Sequence, residues 1–240
     1  RAAGISFDPY AAASALARGA VAAVVSRARA ASLPDAVLAA PLLIAEDPLL
    51  ALQSLASHVR RQWGHRVVGI TGSAGKTTTK EAVAAVLAAR FSVLKSQGNL
   101  NNGYGLPLQL LRLEPQHEVA VIEMGMSAAG EITALCHIAA PDWGVVTNVG
   151  HAHAEFFPDG MAGIARAKYE LVAALPRHGV AFLNCDDPYV SQFGRDFPGK
   201  VIYFGRGACS DPRAETVEVL GAEGLRIQVR AGDQHADLHL

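Results

Sequence analysis

The sequence predicts an α/β fold: a mostly parallel sheet flanked by helices and carrying a phosphate-binding loop, with an antiparallel strand segment appended and a partial small α/β domain in front. Three observations predict it. From His65 to about residue 204, short apolar runs alternate with helix-like runs, the pattern of a parallel sheet covered on both faces. The segment Gly69-Ile-Thr-Gly-Ser-Ala-Gly-Lys-Thr-Thr-Thr79 lies between one such strand and its helix, the arrangement of a P-loop. After Asp211 the pattern changes to strict alternation with glycine-containing turns, which reads as an antiparallel meander.

The elements follow in order. Residues 1–64 read as a partial N-terminal domain. Pro9 to Arg18 is an alanine-rich helix stopped by Gly19, and residues 20–26 and 42–45 are strands. Asp47-Pro48 opens a helix that runs to Trp63 and ends at Gly64, with aspartate as the cap, proline in the first turn and glycine past the end. Residues 65–240 form the central domain, with strand 66–71 and helix 77–90, strand 91–95, helix 106–113, strand 118–123 and helix 129–139. Strand 143–148 and helix 159–176, strand 179–184 and helix 187–194, and strand 200–204 complete the parallel part. The meander spans 216–220, 225–230 and 235–240. The chain opens on Arg1 and closes on His239-Leu240 inside the last alternating run, so a fragment lacking both ends is expected.

Of 240 residues half are apolar, and the net charge is -1, so no general field favours nucleic acid or an anionic membrane. Phosphate recognition has to be local. No run approaches the ~18 apolar residues of a membrane span, and the amino end lacks a basic-then-apolar signal pattern. Three cysteines, Cys136, Cys185 and Cys209, odd in number and without C-x-x-C spacing, argue against a disulfide framework or zinc cluster. They read as ordinary thiols in a soluble, cytoplasmic protein, expected to be a monomer.

The polar residues with chemistry to offer fall at strand ends, where ligands of open α/β sheets lie. Backbone N–H groups of Gly72, Ser73, Ala74, Gly75, Lys76, Thr77 and Thr78, together with the helix dipole, suit a polyphosphate. Lys76 would reach the outer phosphates, and the Thr77 hydroxyl would sit on magnesium. The loop departs from the strict G-x-x-x-x-G-K-[ST] pattern, whose first glycine would fall at Ile70. Val119-Ala-Val-Ile122 ends in Glu123, an acid for the magnesium shell. Gly144-Val-Val146 ends in Thr147-Asn148-Val-Gly-His151-Ala-His153, whose two histidines share a face if extended, and one of them is a candidate ligand. In the next helix Lys168 lies at the centre of the apolar stripe of positions 161, 164, 165, 168, 171, 172 and 175, with Arg166 and Glu170 opposite as an i,i+4 pair. An inward lysine either snorkels to an edge or works. Burial would lower its pKa and free an amine to act as nucleophile or to react with carbon dioxide. The loop Gln97 to Pro107 packs Asn99, Asn101 and Asn102 among glycines, which suits either a turn-rich connector or an amide-lined recognition loop.

Five motifs in this order, T-G-S-A-G-K-T-T-T, G-N-L-N-N-x-x-G-x-P, E-M-G-x-x-x-x-G-E-I, T-N-V-G-x-A-H and A-R-A-K, resemble the Mur ligase family, most closely its MurF type. The resemblance covers most of the chain, with residues 1–64 similar to the rear of the uridine-nucleotide-binding domain. It implies an ATP-dependent amide ligase of peptidoglycan synthesis, which joins D-Ala-D-Ala to UDP-N-acetylmuramoyl-tripeptide through an acyl phosphate. It further implies that Lys76 and the loop amides bind ATP, with Asn148 in the nucleotide site, and that Thr77 and Glu123 lie in the shell of a first magnesium. His153 and a carbamylated Lys168 would hold a second. Asn99, Asn101 and Asn102 would face the muramoyl peptide. Lys76, Lys168 and His153 are thus the implied catalytic residues. Where members often carry Glu-Ile, this chain has Gly103-Tyr104. The alternatives are another Mur-type ligase, a folate polyglutamate ligase, which usually reads Gly-Lys-Gly where this chain reads Gly-Lys-Thr, another P-loop enzyme such as a kinase or nucleotide switch, and a nucleotide-binding remnant inactive as a fragment.

Overall fold

The computed structural model describes residues 9–33, 35–151, 154–221 and 224–239. The first part contains α1 (Pro9–Ala17), β1 (Ala23–Ser26), α2 (Arg27–Ala30), α3 (Asp35–Leu38), β2 (Leu42–Ala45) and α4 (Pro48–Trp63). β1 and β2 pair in parallel, and Val25, Leu33 and Val37 form a small core beneath them. α4 begins and ends as its residues predict. Asp47 Oδ1 accepts from Leu49 N at 2.7 Å, Pro48 fills the first helical position, and Gly64 takes the left-handed cap at φ 73°.

The central part runs β3 (Arg66–Thr71), α5 (Lys76–Ala88), β4 (Val93–Lys95), α6 (Gly105–Leu110), β5 (Val119–Glu123), α7 (Glu131–Ala139), β6 (Trp143–Val146), α8 (Gly160–Ala173), β7 (Val180–Asn184) and β8 (Lys200–Phe204). The six strands form one sheet, parallel throughout, in the order β4-β5-β3-β6-β7-β8. β3 is central because it is apolar on both faces, and Val67, Val68 and Ile70 are all buried. After β3 the chain builds one side of the sheet with β4 and β5 and then crosses to the other side for β6, β7 and β8, so the strand order switches direction at β3 and leaves a crevice at its carboxyl end. That crevice is where a ligand of such a sheet lies.

Two strand glycines govern how α8 sits on this sheet. A Cβ on Gly69 would stand 3.1 Å from Leu171 Cδ1, and one on Gly144 would stand 3.1 Å from Leu175 Cδ1 and 3.2 Å from Leu171 Cγ. The bare backbone at both positions lets the apolar stripe of α8 pack close to the strands.

α4 belongs physically with the central sheet, because it packs on α6 and α7. Arg60, buried, donates from Nε to Ala139 O at 2.8 Å, and from Nη2 to Ala140 O at 2.9 Å and Asp142 Oδ2 at 3.0 Å. The same Asp142 oxygen accepts from Val67 N. Burial lowers the Arg60 pKa, and Asp142 opposes that shift. Replacement by alanine would strand two carbonyls at the end of α7 and break a half-buried pair. Arg60→Ala is therefore expected to cost about 3 kcal/mol of stability, measurable by urea unfolding, whereas the exposed neighbour Arg61→Ala should cost little.

The meander is borne out as a separate three-stranded antiparallel sheet, β9 (Arg213–Val219), β10 (Leu225–Ala231) and β11 (Gln234–His239), joined to the parallel sheet through one bridge between Gly205 and Arg213. Three expectations need correction. The helix expected over 187–194 is only a 3-10 turn at Val190–Gln192. Asp187 caps it through Tyr189 N and Val190 N, and Gly194 then passes so close to β8 that a Cβ would meet Tyr203 Oη at 2.4 Å. Glu170 does not pair with Arg166, which pairs instead with Asp159. Its carboxylate caps α7, accepting from Gly130 N at 2.7 Å, Thr133 N at 2.9 Å and Thr133 Oγ1 at 3.0 Å. Two of the three cysteines are not free thiols. Pairing of β7 with β8 brings Cys185 to Cys209 with Cα atoms 6.0 Å apart, and the structure joins them as a disulfide. Cys136 remains buried, its thiol pushed up to about 12, chiefly by desolvation. No described helix is long and apolar enough to cross a membrane.

A candidate phosphate and metal site at the carboxyl ends of three strands

Beyond β3 the chain turns through Gly72 to Gly75 and enters α5. The helical hydrogen-bond ladder first closes at Thr79 N, on Gly75 O at 2.9 Å. The amides before it, at the positive end of α5, are oriented for an anion. Those of Ser73 and Ala74 are already engaged. Ser73 N donates to Asn148 O at 3.0 Å, and Ala74 N to Asn148 Oδ1 at 2.9 Å. Asn148 Nδ2 and Thr147 Oγ1 both donate to Ala74 O, at 3.1 and 2.7 Å, and Gly150 N donates to Ser73 Oγ at 2.8 Å. The side chain of Asn148 is therefore spent on the loop backbone, a role the sequence did not suggest. Gly75 to Thr78 are left as the candidate cradle for an anion.

The loop after β6 is itself tied to β7. Asn184 Nδ2 donates to Thr147 O at 2.8 Å, and Val149 N donates to the buried Asp187 carboxylate at 2.9 Å. Neither residue was singled out in the sequence, where each is one polar residue in a polar loop. Gly72 is needed where these two loops touch, because it adopts φ 154° and a Cβ there would lie 1.8 Å from Thr147 Oγ1.

Lys76 Nζ folds back onto Gly72 O at 2.9 Å. Thr77 Oγ1 donates to Glu123 Oε2 at 2.9 Å across the α5–β5 gap. Glu123 is 3% exposed, and its backbone N–H donates to Ser96 Oγ. A buried carboxylate beside a hydroxyl at the mouth of a phosphate cradle fits magnesium, which takes one or two hard protein oxygens and completes its shell with phosphate and water. Among the described residues no cluster of three or more His, Cys, Asp or Glu forms.

A cavity of about 480 Å³ opens beside this cradle, lined by Gly72, Ser73, Lys76, Asn101, Asn102 and Lys168, by Tyr104 and Glu131, and by Gln53, Leu135 and Ile138, which the sequence left unmarked. Lys168 is 3% exposed on α8, and its pKa falls to about 7, mainly through desolvation and further through the charge of Lys76. It does not snorkel. It stands at the cavity wall with an amine whose neutral form is readily available near pH 7. His151 is exposed at the end of its loop, and His153 lies outside the described residues.

The asparagine loop divides its work. Asn99 is exposed and offers its carbonyl to Asn101 N. Asn102 Oδ1 accepts from Tyr104 N and Gly105 N, which starts α6. Asn101 Nδ2 donates to Glu123 Oε1 at 2.8 Å.

Residues 70–237 match the family model described as Mur ligase middle domain. The chain belongs to the Mur ligase family. It is 40% identical over 189 residues to UDP-N-acetylmuramoyl-tripeptide--D-alanyl-D-alanine ligase of Bacillus subtilis, covering 79% of this chain and 40% of that protein. The enzyme of the same name from Mycobacterium tuberculosis is 37% identical over 246 residues, covering 95% of this chain and 48% of its own length. Among solved structures, MurF ligase from Thermotoga maritima in complex with ADP superposes with a TM-score of 0.79 at 29% identity, covering 91% of this chain and 54% of that one. The Mur ligase chain described here thus spans less than half the length of these two curated relatives.

Proposed function

We propose that the full-length protein carrying this Mur ligase domain is an ATP-dependent amide ligase that joins D-Ala-D-Ala to UDP-N-acetylmuramoyl-tripeptide in peptidoglycan synthesis. The observation that carries the reading is the shared cavity in which the P-loop Lys76 meets the buried Lys168, in a chain whose curated relatives bear that enzyme name. In this reading the amides of Gly75 to Thr78 and the Lys76 ammonium hold the β- and γ-phosphates. Thr77 and Glu123 hold magnesium, which would offset charge between the phosphates and an incoming carboxylate. The tripeptide carboxylate oxygen bonds to the γ-phosphorus as ADP leaves. The dipeptide amine then bonds to the acyl carbon as phosphate leaves, and the amine gives up a proton.

Lys168 suits the second half of the site. A neutral amine combines with carbon dioxide, releasing a proton and leaving a carbamate. This would turn a buried cation that repels Lys76 into an anion that suits a second magnesium together with His153. The wall of the cavity formed by Asn102, Tyr104 and Leu135 would receive the muramoyl peptide.

The test is phosphate release by the full-length protein with ATP, magnesium and UDP-muramoyl-tripeptide, with and without D-Ala-D-Ala. Release that requires the dipeptide, with a pentapeptide product by mass, is expected. Release indifferent to the dipeptide would defeat this reading and indicate a nucleotide hydrolase.

A further inference from the structure

We infer that Asn101 is a positioning residue for the Glu123 carboxylate, linking the loop that lines the muramoyl-peptide side of the cavity (the acceptor side, the peptide being the acceptor) to the metal site, and not a direct substrate contact. This inference rests on the nucleotide and magnesium reading of the site given above.

Glu123 is almost fully buried, so each of its oxygens needs a donor or a cation. Oε2 faces Thr77 Oγ1 at 2.9 Å, the hydroxyl at the head of the cradle. Oε1 is served by Asn101 Nδ2 at 2.8 Å. With one oxygen tied to the loop, the carboxylate plane cannot turn about its last bond, and the other oxygen keeps its aim toward Thr77. Partners of this kind, one step behind a ligand, set both the orientation and the affinity of a metal site.

The surroundings are built to keep Asn101 there. Its N–H donates to Asn99 O at 2.8 Å, and its carbonyl accepts from Gly125 N at 2.8 Å, so its backbone is laced to the end of β5. Gly125 provides the space for the side chain, since a Cβ at that position would stand 2.7 Å from Asn101 Oδ1 and 2.9 Å from its Cγ. The glycine two residues after the acid therefore has a physical purpose. The next residues of the loop, Asn102 to Tyr104, line the cavity, and Gln53 of α4 donates to Gly103 O at 2.9 Å. An acceptor that presses on this loop acts on the carboxylate through Asn101. By linkage, metal binding then changes acceptor affinity by the same factor.

The experiment measures Mn2+ affinity by electron paramagnetic resonance in the full-length protein with ADP present and no acceptor, in wild type, Asn101→Ala and Gly125→Ala. Both variants are expected to bind Mn2+ at least about 10-fold more weakly, while ADP affinity without metal stays within about twofold. Gly125→Ala keeps the asparagine but denies it its place, so a loss in both variants with intact ADP binding separates positioning from misfolding. Mn2+ affinity unchanged in Asn101→Ala, with only the acceptor KM raised, would overturn the inference and make Asn101 a substrate contact. If the wild type fails to ligate D-Ala-D-Ala but the Mn2+ losses appear, the proposed reaction falls and this inference stands.

Discussion

Gly72→Ala is expected to weaken ADP binding by roughly 100-fold, equivalent to about 2.7 kcal/mol. A methyl group there would meet Thr147 Oγ1 at 1.8 Å, Thr147 Cβ at 3.1 Å and Asn148 N at 3.3 Å, in a backbone conformation of φ 154° that side chains rarely adopt. Rotating Thr147 away would relieve the first contact only by giving up its bond to Ala74 O. The other two contacts would still push the loop after β6 away from the P-loop, and the double grip of Asn148 on Ala74 would go with it. Gly75→Ala is the matched control. Gly75 also has a positive φ, 75°, but nothing lies within 4 Å of its Cβ position, so only about 1–2 kcal/mol of backbone strain applies. Isothermal titration with ADP distinguishes the two. Equal losses would mean that conformation, not the contact between loops, decides affinity.

Lys168→Ala is expected to lower turnover of the full-length protein by at least about 10²-fold, with partial recovery on adding a short-chain carboxylate and none on adding a short amine. The recovery is the informative part, because only a carbamate is replaced by a carboxylate. The pH dependence has a definite sign. Burial holds the Lys168 pKa near 7, against an ordinary value of 10.5. Carbamate formation uses the neutral amine, so a 13C-bicarbonate carbamate signal should strengthen as pH rises through about 7 and fade below it. Without carbon dioxide, the unfolded chain binds a proton between pH 7 and 10.5 that the folded chain does not. Stability should therefore rise with pH across that window, and Lys168→Met should remove that slope.

The parallel α/β core and the placement of chemistry at its strand ends were legible because strands buried on both faces must be apolar, and their turns carry the polar residues. Lys168 stood out for the same reason, as a cation inside an apolar stripe. Partners were not legible. Spacing suggested that Glu170 meets Arg166, but three donors at the start of α7 compete better than one solvated guanidinium. Nothing local distinguishes Asn101 from Asn102, although one serves Glu123 and the other starts α6. The pairing of Cys185 with Cys209 across 24 residues depends on strand order, which periodicity does not encode.

The two glycines under α8 have a consequence for how the site could be tuned. Gly69 and Gly144 carry no side chain, yet their bare backbone is what admits Leu171 and Leu175, which share the inward face of Lys168, close against the strands. They act as a shim of zero height. A methyl group on either one would stand 3.1 Å from a leucine side chain of that face, so Leu171 or Leu175 would have to give way by roughly a few tenths of an ångström, in a core packed too tightly to absorb it freely. The site in this fold is thereby exposed to substitutions that a view confined to the cavity would pass over.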